Sequence, residues 1–167
     1  MASATPAGYS TTQIMLHWSV ATLVIFQFFI NDGIADAFDA LVRGAAVSGE
    51  QTAAANVHVI IGLSILALTL WRLVLRIRLG APPSPENEPR VMRIVAKATH
   101  HALYLLLVLV PVSGAAAWFL GAEGAAQGHA VMRALLFIVA CLHVLGALVQ
   151  LVVFRSNVFM RMVAAKD

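Results

Sequence analysis

The sequence predicts an all-α protein, a transmembrane four-helix bundle with both termini in the cytoplasm. Of its 167 residues, 60% are hydrophobic and only 11% are charged, whereas a soluble domain is about half apolar and about a quarter charged. Four apolar segments are long enough for the roughly 20 residues that cross a bilayer. Six histidines lie within these segments, and their positions carry most of the information about function.

The composition limits the other possibilities. The length fits one domain, so residues 1–167 are treated as a single transmembrane domain. The net charge of +3 does not indicate nucleic-acid binding, because the basic residues cluster beside the apolar segments. The single cysteine, Cys141, lies within a span, and no CxxCH motif for covalent haem attachment occurs. The N-terminus lacks the basic region of a secretory signal, so the first span is expected to remain in the membrane.

The first span is predicted at residues 14–30 and contains His17 one turn inside its start. A hydroxyl of Ser10, Thr11 or Thr12 is expected to cap the first turn by accepting from a free backbone N–H. The connection that follows carries four acidic residues against one arginine. It is expected to contain a short interfacial helix.

The second span is predicted at residues 53–75, with His58 one turn inside its start. It is followed by a loop whose core, APPSPENEP, has four prolines, which cannot continue a helix. The third span is predicted at residues 98–120 and begins with the adjacent pair His100 and His101. Because only a short glycine-rich link follows it, the third and fourth spans are expected to be neighbours.

The fourth span, predicted at residues 129–154, carries His129 at its start and His143 fourteen residues later. Fourteen residues of helix are nearly four turns, so the two imidazoles lie on nearly the same face, about 21 Å apart along the axis. Ionisable side chains within a membrane helix are costly and usually face the bundle interior. Two of them at different depths therefore suggest two stacked cofactors, and haem is the cofactor for which histidine is a usual axial ligand.

Orientation follows from the Lys and Arg residues beside the spans, which favour the cytoplasmic side. Three basic residues lie in the C-terminal tail. Six lie between the second and third spans: Arg72, Arg76, Arg78, Arg90, Arg93 and Lys97. On the opposite side there are Arg43 and, just inside the fourth span, Arg133. Both termini are therefore predicted to be cytoplasmic, in a multi-pass membrane protein.

This topology sorts the histidines into two groups by depth. His58 and His129 are predicted near the non-cytoplasmic side, and His17 and His143 in the cytoplasmic half, with His100 or His101 nearby. Each group can supply the two facing imidazoles that a six-coordinate haem needs. A histidine at a helix end is often only an interfacial polar residue, and that interpretation fits His101 best.

Several arginines are placed to assist such sites. Arg72 and Arg76 are four residues apart and are candidates for pairing with haem propionates, although both also fit as simple retention charges. Arg133, one turn after His129, is a candidate for the same role on the other side. A haem-free transporter or scaffold, in which the histidines relay protons or pack, is the alternative from a different functional class.

The chain resembles the prokaryotic cytochrome b561 family, small four-helix inner-membrane proteins with two b-type haems. The resemblance rests on YSTTQIMLHW, NVHVIIGLSILALTLWRLVLR, HHALYLLLVLVPVSG, the fourteen-residue spacing of His129 and His143, and NVFMRM in the tail. It implies that His17 and His143 ligate the cytoplasmic-side haem, and that His58 and His129 ligate the other. It also implies that His100 lies near the cytoplasmic-side haem.

The resemblance further implies electron transfer between membrane quinone, such as ubiquinone, and a one-electron partner. One branch of the family couples superoxide oxidation at the periplasmic face to ubiquinone reduction, so a superoxide:quinone oxidoreductase is one expectation. The acidic connection after the first span argues against attraction of an anion. A second expectation is a cytochrome b anchor subunit that receives electrons from a dehydrogenase or hydrogenase, or from another redox protein partner.

Overall fold

A computed structural model describes residues 8–29, 34–85 and 88–165 of the protein. Within these ranges the regular structure is helical: α1 (Thr11–Phe29), α2 (Ile34–Arg43), α3 (Gly49–Leu79), α4 (Arg90–Leu120), α5 (Glu123–Val152) and a short 3₁₀ helix (Met160–Met162). Helices α1, α3, α4 and α5 are each long and apolar enough to cross a membrane. The predicted all-α fold with four spans is therefore confirmed.

The long helices begin or end beyond the predicted spans. Helices α3 and α4 each contain 31 residues, which is about 46 Å at 1.5 Å per residue, whereas the hydrocarbon core is about 30 Å thick. The extra turns at the C-terminus of α3 and the N-terminus of α4 carry most of the basic residues between these helices. The apolar pattern marks only the part of each helix inside the bilayer, so the prediction missed these polar turns.

Local sequence signals set two helix starts. The Ser10 hydroxyl accepts from the Gln13 backbone N–H at 3.3 Å, while the Ser10 N–H donates to the Gln13 side chain at 3.0 Å. Ser48 and Gln51 form the same reciprocal capping box at the start of α3, with both hydrogen bonds at 3.1 Å. The expected N-terminal cap of the first span is thus formed by Ser10.

The connection between the first two spans contains the expected short helix, α2, which packs against α3. Its Arg43 pairs with Asp39 at 2.7 Å, and both side chains are exposed. Exposed carboxylates at this end of the bundle belong to Asp36, Asp39, Glu50 and Glu123. We call this end, where α2 and the α4–α5 turn lie, the acidic end. Residues 1–7, the acidic residue Asp32 and the tail residue Lys166 lie outside the described ranges.

The opposite end, which we call the basic end, joins the start of α1, the α3–α4 loop and the tail after α5. The Trp18 ring N–H donates to the Met162 carbonyl at 2.7 Å, and Gln150 donates to the Glu88 carboxylate at 2.6 Å. Arg161 donates to the Pro83 carbonyl at 2.6 Å. The N-terminus of α1 and the C-terminus of α5 therefore lie on the same side of the bundle.

The apolar core lies midway along the bundle. Its buried residues come from all four long helices: Val20, Ile65, Leu106, Leu107 and Leu136. Leu136 is seven residues from both His129 and His143, so the core layer separates two levels of histidines. Many large apolar side chains on the outer surface of the helices are exposed, as expected for a surface that faces lipid.

Candidate functional site

Histidines from different helices face each other at two levels of the bundle. At the acidic end, the ring centroids of His58 on α3 and His129 on α5 are 6.2 Å apart, with 70° between the ring planes. At the basic end, His17 on α1 and His143 on α5 are also 6.2 Å apart, with 64° between the planes. The structure thus brings together the same two pairs that the predicted depths group.

The spacing within each pair suits a metal ion between the rings. A metal–imidazole bond is about 2 Å long and the ring centre lies about 1.1 Å behind the ligating nitrogen, so two opposed ligands have centroids about 6.2 Å apart. In the described part of the chain, no group of three or more His, Cys, Asp or Glu side chains is arranged to hold a bare metal ion. Two axial imidazoles are sufficient for haem, because the macrocycle supplies the remaining donors.

A cleft opens beside the His58–His129 pair. The cavity between its walls has a volume of about 80 Å³. The walls are mainly apolar and include Val24, Phe28, Leu63, Leu107 and Leu136. Arg133 contributes a charged side chain to the lining. The chemistry of these walls suits a flat apolar group with an acidic edge.

The ring of His129 is held against α4. Its Nδ1 lies 2.9 Å from the Val110 carbonyl oxygen, and since a carbonyl can only accept, Nδ1 carries the proton. In the neutral ring Nε2 then has the free lone pair that metal ligation requires. Gly114 permits this position, because a Cβ there would lie 3.0 Å from the His129 ring.

His58 is held through its backbone rather than its ring. The Gln27 side-chain amide donates to the His58 carbonyl at 2.9 Å, which links α1 to α3 at this level. The buried Nδ1 of His58 has no hydrogen-bond partner among the described residues. Buried polar atoms are normally paired, so an unpaired nitrogen on a histidine that lines the cleft marks this side chain as a candidate for holding a bound group.

At the basic end, Arg72 reaches one of the paired histidines directly. Its Nη2 lies 3.0 Å from Nδ1 of His17, and since a guanidinium can only donate, this nitrogen of His17 accepts. The sequence suggested Arg72 as a propionate partner or a retention charge; the structure adds a contact with a candidate ligand. Trp18 packs edge-on against the His17 ring, with centroids 5.3 Å apart.

Arg72 and Arg76 share one aromatic neighbour. Their guanidinium carbons lie 5.6 and 5.8 Å from the Tyr104 ring centroid, which is within the range of cation–π contacts. Within the described ranges, neither arginine forms an ion pair. Two adjacent cations with no carboxylate partner provide local positive charge beside the His17–His143 pair.

The adjacent histidines of α4 have different surroundings. The His100 ring is partly buried, with its centroid 5.1 Å from that of His143, and its Nδ1 donates to the Ala96 carbonyl at 2.6 Å. His101 is exposed and donates to the Lys97 carbonyl at 2.6 Å. The basic end therefore has three neighbouring imidazoles, His17, His100 and His143, and His101 is outside this cluster.

Gln27, Gly114 and Tyr104 are not among the site residues predicted from the sequence. Gln27 carries a weak signal, since an amide within an apolar span needs a hydrogen-bond partner. Gly114 lies three residues after Pro111 within α4. Its contact with His129 depends on how α4 and α5 pack, which the sequence pattern of one helix does not specify.

Comparisons with known proteins identify the family of this chain. A family model described as prokaryotic cytochrome b561 matches residues 8–165. The chain is 34% identical over 155 residues to cytochrome b562 of Cereibacter sphaeroides, with 93% of this chain and 94% of that protein covered. It is 27% identical over 180 residues to a probable superoxide oxidase CybB of Yersinia pestis, with 95% and 97% covered. The chain belongs to the prokaryotic cytochrome b561 family and is a multi-pass membrane cytochrome b of electron transfer.

Proposed function

We propose that this protein carries electrons across the membrane through two b-type haems, one bound by His58 and His129 and the other by His17 and His143. The observation that carries this proposal is the presence of two facing imidazole pairs, each with 6.2 Å between ring centroids, at two levels of one bundle. When bound, haem supplies a one-electron couple between ferric and ferrous iron.

The histidine pairs determine which chemistry is favoured. Two histidines would hold each haem, and a haem held by two histidines would supply one-electron transfer rather than oxygen activation. The apolar walls of the cleft exclude water from the His58–His129 level. Leu136 and the rest of the core separate the two levels by apolar side chains. The chain therefore supplies ligands, spacing and a dry environment.

The arginines are proposed to bind the propionates and orient the haems. Arg133 lines the cleft at the acidic end, where it is the charged group for the edge of the haem at that level. Arg72 and Arg76 have the same role at the basic end, through charge-assisted hydrogen bonds to carboxylates. For Arg72 this requires its guanidinium to leave Nδ1 of His17, because that nitrogen becomes a donor when Nε2 binds iron.

The basic end is assigned to the cytoplasm of a bacterium and the acidic end to the periplasmic side of the inner membrane. Basic residues beside membrane spans favour this orientation. Ubiquinone within the bilayer is proposed as the two-electron partner. The second partner is proposed to be a periplasmic one-electron donor or a redox protein. The α4–α5 turn has only Gly121 and Ala122 between helices, which leaves little docking surface for the large partner that an anchor subunit would require.

Superoxide oxidation coupled to ubiquinone reduction is the second candidate function. Two superoxide anions would each lose one electron to become O₂, and one ubiquinone would take up two electrons and two protons. The half-buried Arg133 at the cleft favours this candidate by offering local positive charge to an anion. The exposed carboxylates of the acidic end oppose it, because negative potential repels superoxide.

Anaerobic mixing of the oxidised, haem-loaded protein with ubiquinol tests the proposal. Both haems are expected to become reduced, as followed by the b-type visible bands, and His143→Ala or His129→Ala is expected to remove one haem from the reaction. His101→Ala is the matched control, because His101 is exposed and outside both pairs. Failure of ubiquinol to reduce the wild-type haems would overturn the quinone assignment.

The same protein tests the second candidate. Superoxide generated by an added enzyme should reduce ubiquinone only in the presence of the protein, and Arg133→Gln should slow that reaction. Arg43→Gln is the control, because Arg43 is exposed at the same end and already paired with Asp39. If superoxide yields no protein-dependent ubiquinol, superoxide oxidation is excluded while quinone-linked electron transfer still stands.

A further inference from the structure

Three imidazoles lie at the basic end where a pair would be sufficient for one haem. The His143 ring has His17 on one side, at 6.2 Å between centroids, and His100 on another, at 5.1 Å. These residues come from α5, α1 and α4. At the acidic end, the only contact between imidazoles among the described residues is the His58–His129 pair. The two levels therefore differ in the number of available ligands.

The hydrogen bonds of His17 and His100 leave different nitrogens free. His100 donates through Nδ1 to the Ala96 carbonyl at 2.6 Å, so Nε2 of the neutral ring carries a lone pair. His17 accepts at Nδ1 from Arg72 at 3.0 Å, so the proton of the neutral ring lies on Nε2. A ligating histidine usually donates its second nitrogen to a carbonyl or carboxylate. His100 satisfies that condition in the described arrangement, and His17 satisfies it only after Arg72 moves.

His100 also resembles His129, a proposed ligand at the other level. Both rings donate through Nδ1 to a backbone carbonyl, His129 to Val110 at 2.9 Å and His100 to Ala96 at 2.6 Å. His101 makes a similar bond to Lys97 but is exposed. The carbonyl bond by itself is thus not distinctive, but its combination with partial burial and proximity to a second imidazole is.

We propose that His17 and His100 are alternative partners of His143, so that either imidazole can complete the axial pair of the basic-end haem. This inference rests on the proposed function, since it assumes haem at this level. The two residues are alternatives rather than simultaneous ligands, because no three such side chains in the described ranges converge on one metal position. The His100 ring centroid is 5.1 Å from that of His143, against 6.2 Å for His17, so the two rings must separate by at least 1.1 Å to reach the spacing of the other pairs.

The exchange changes only one coordination bond. The bond from Nε2 of His17 is replaced by a bond from Nε2 of His100, and no electron is gained or lost. One consequence is that α1 can shift at the basic end without leaving the haem five-coordinate. Another is that the acidic-end haem, which has no such reserve ligand among the described residues, is the more sensitive of the two to loss of a histidine.

Carbon monoxide binding to the dithionite-reduced protein tests this proposal, because only a haem with an open axial position binds it. His17→Ala is expected to keep two low-spin haems and to bind no carbon monoxide. His17→Ala combined with His100→Ala is expected to bind one carbon monoxide per chain, or to lose one haem. His17→Ala combined with His101→Ala is the matched control and is expected to behave like His17→Ala alone.

The acidic-end haem serves as an internal control for folding, because its low-spin signal in electron paramagnetic resonance should persist in all of these variants. Carbon monoxide binding by His17→Ala alone, or a His17→Ala, His100→Ala double variant that keeps two haems and binds no carbon monoxide, would overturn the proposal. His143→Ala distinguishes this outcome from failure of the proposed function. If His143→Ala still contains two low-spin haems, the ligand set itself is wrong; if it does not, only the role of His100 is in question.

Discussion

Gly114 on α4 and His129 on α5 are in direct contact, and the contact depends on the absence of a side chain at Gly114. A Cβ at this position would lie 3.0 Å from both Cε1 and Nδ1 of the imidazole. The same ring is held by the Val110 carbonyl one turn earlier on α4. The position of a proposed haem ligand is therefore set by two backbone features of the neighbouring helix.

Gly114→Ala is expected to displace the His129 ring and to weaken binding of the acidic-end haem. A contact of 3.0 Å forces the ring to move, and a ligand held away from its productive position supports its metal poorly. We predict about one haem per chain in place of two, measured as haem extracted from purified protein. Gly124→Ala, also at the acidic end, is the control, because nothing lies within 4 Å of an added Cβ there. Two haems per chain in Gly114→Ala would contradict this prediction.

Gln27→Leu is expected to affect the acidic-end haem selectively. The substitution removes the amide that donates to the His58 carbonyl, a membrane hydrogen bond worth about 0.6 kcal/mol on average and up to about 1.7 kcal/mol. A looser His58 should make the haem at that level dissociate faster on transfer to apomyoglobin, a strong haem acceptor. The basic-end haem should dissociate at the wild-type rate.

Ser64→Ala is the control for Gln27→Leu, since the half-buried Ser64 donates only within its own helix, to the Ile60 carbonyl. Equal acceleration of both haems by Gln27→Leu would indicate general loosening of the bundle. That result would remove Gln27 from the list of residues that position His58.

Arg72→Gln is expected to lower the midpoint potential of the basic-end haem. Reduction removes one positive charge from the iron, so a nearby cation favours the reduced form. Arg72 contacts His17 and lies beside Tyr104, so its charge would act on a haem held by His17. A redox titration followed in the visible spectrum should show one component shifted to lower potential and the other unchanged.

Arg78→Gln is the matched control for Arg72→Gln, because it removes the same charge from an exposed position on the same helix. Exposed charges are screened by salt, so its effect on either midpoint should be small. Equal shifts from the two substitutions would mean that Arg72 acts only through the net charge of the basic end.

Much of this arrangement follows from the sequence because it depends on regular helices of known rise. Hydropathy locates four spans, and the alternating direction of those spans assigns each histidine a depth, so His17 is grouped with His143 and His58 with His129 before any packing is known. The fourteen residues between His129 and His143 likewise predict that both side chains lie on one face of the same helix, at different depths. These inferences need only the geometry of single helices.

The remaining features depend on how side chains of different helices meet. The Arg72–His17 contact, the Gln27–His58 link and the approach of His129 to Gly114 each join two helices. Hydropathy also missed the charged end turns of α3 and α4, which continue as helix outside the apolar layer. The sequence placed His100 near the basic-end histidines, but only the structure distinguishes its surroundings from those of the exposed His101.

The most direct test of the account is the number of haems bound per chain, measured together with a dithionite-reduced minus oxidised visible spectrum of the purified protein. The two imidazole pairs predict two haems per chain, both low-spin with a b-type α-band. One haem per chain would contradict the assignment of a ligand pair to each level. Absence of haem from protein produced with sufficient haem supply would contradict the electron-transfer proposal and favour a haem-free transporter or scaffold.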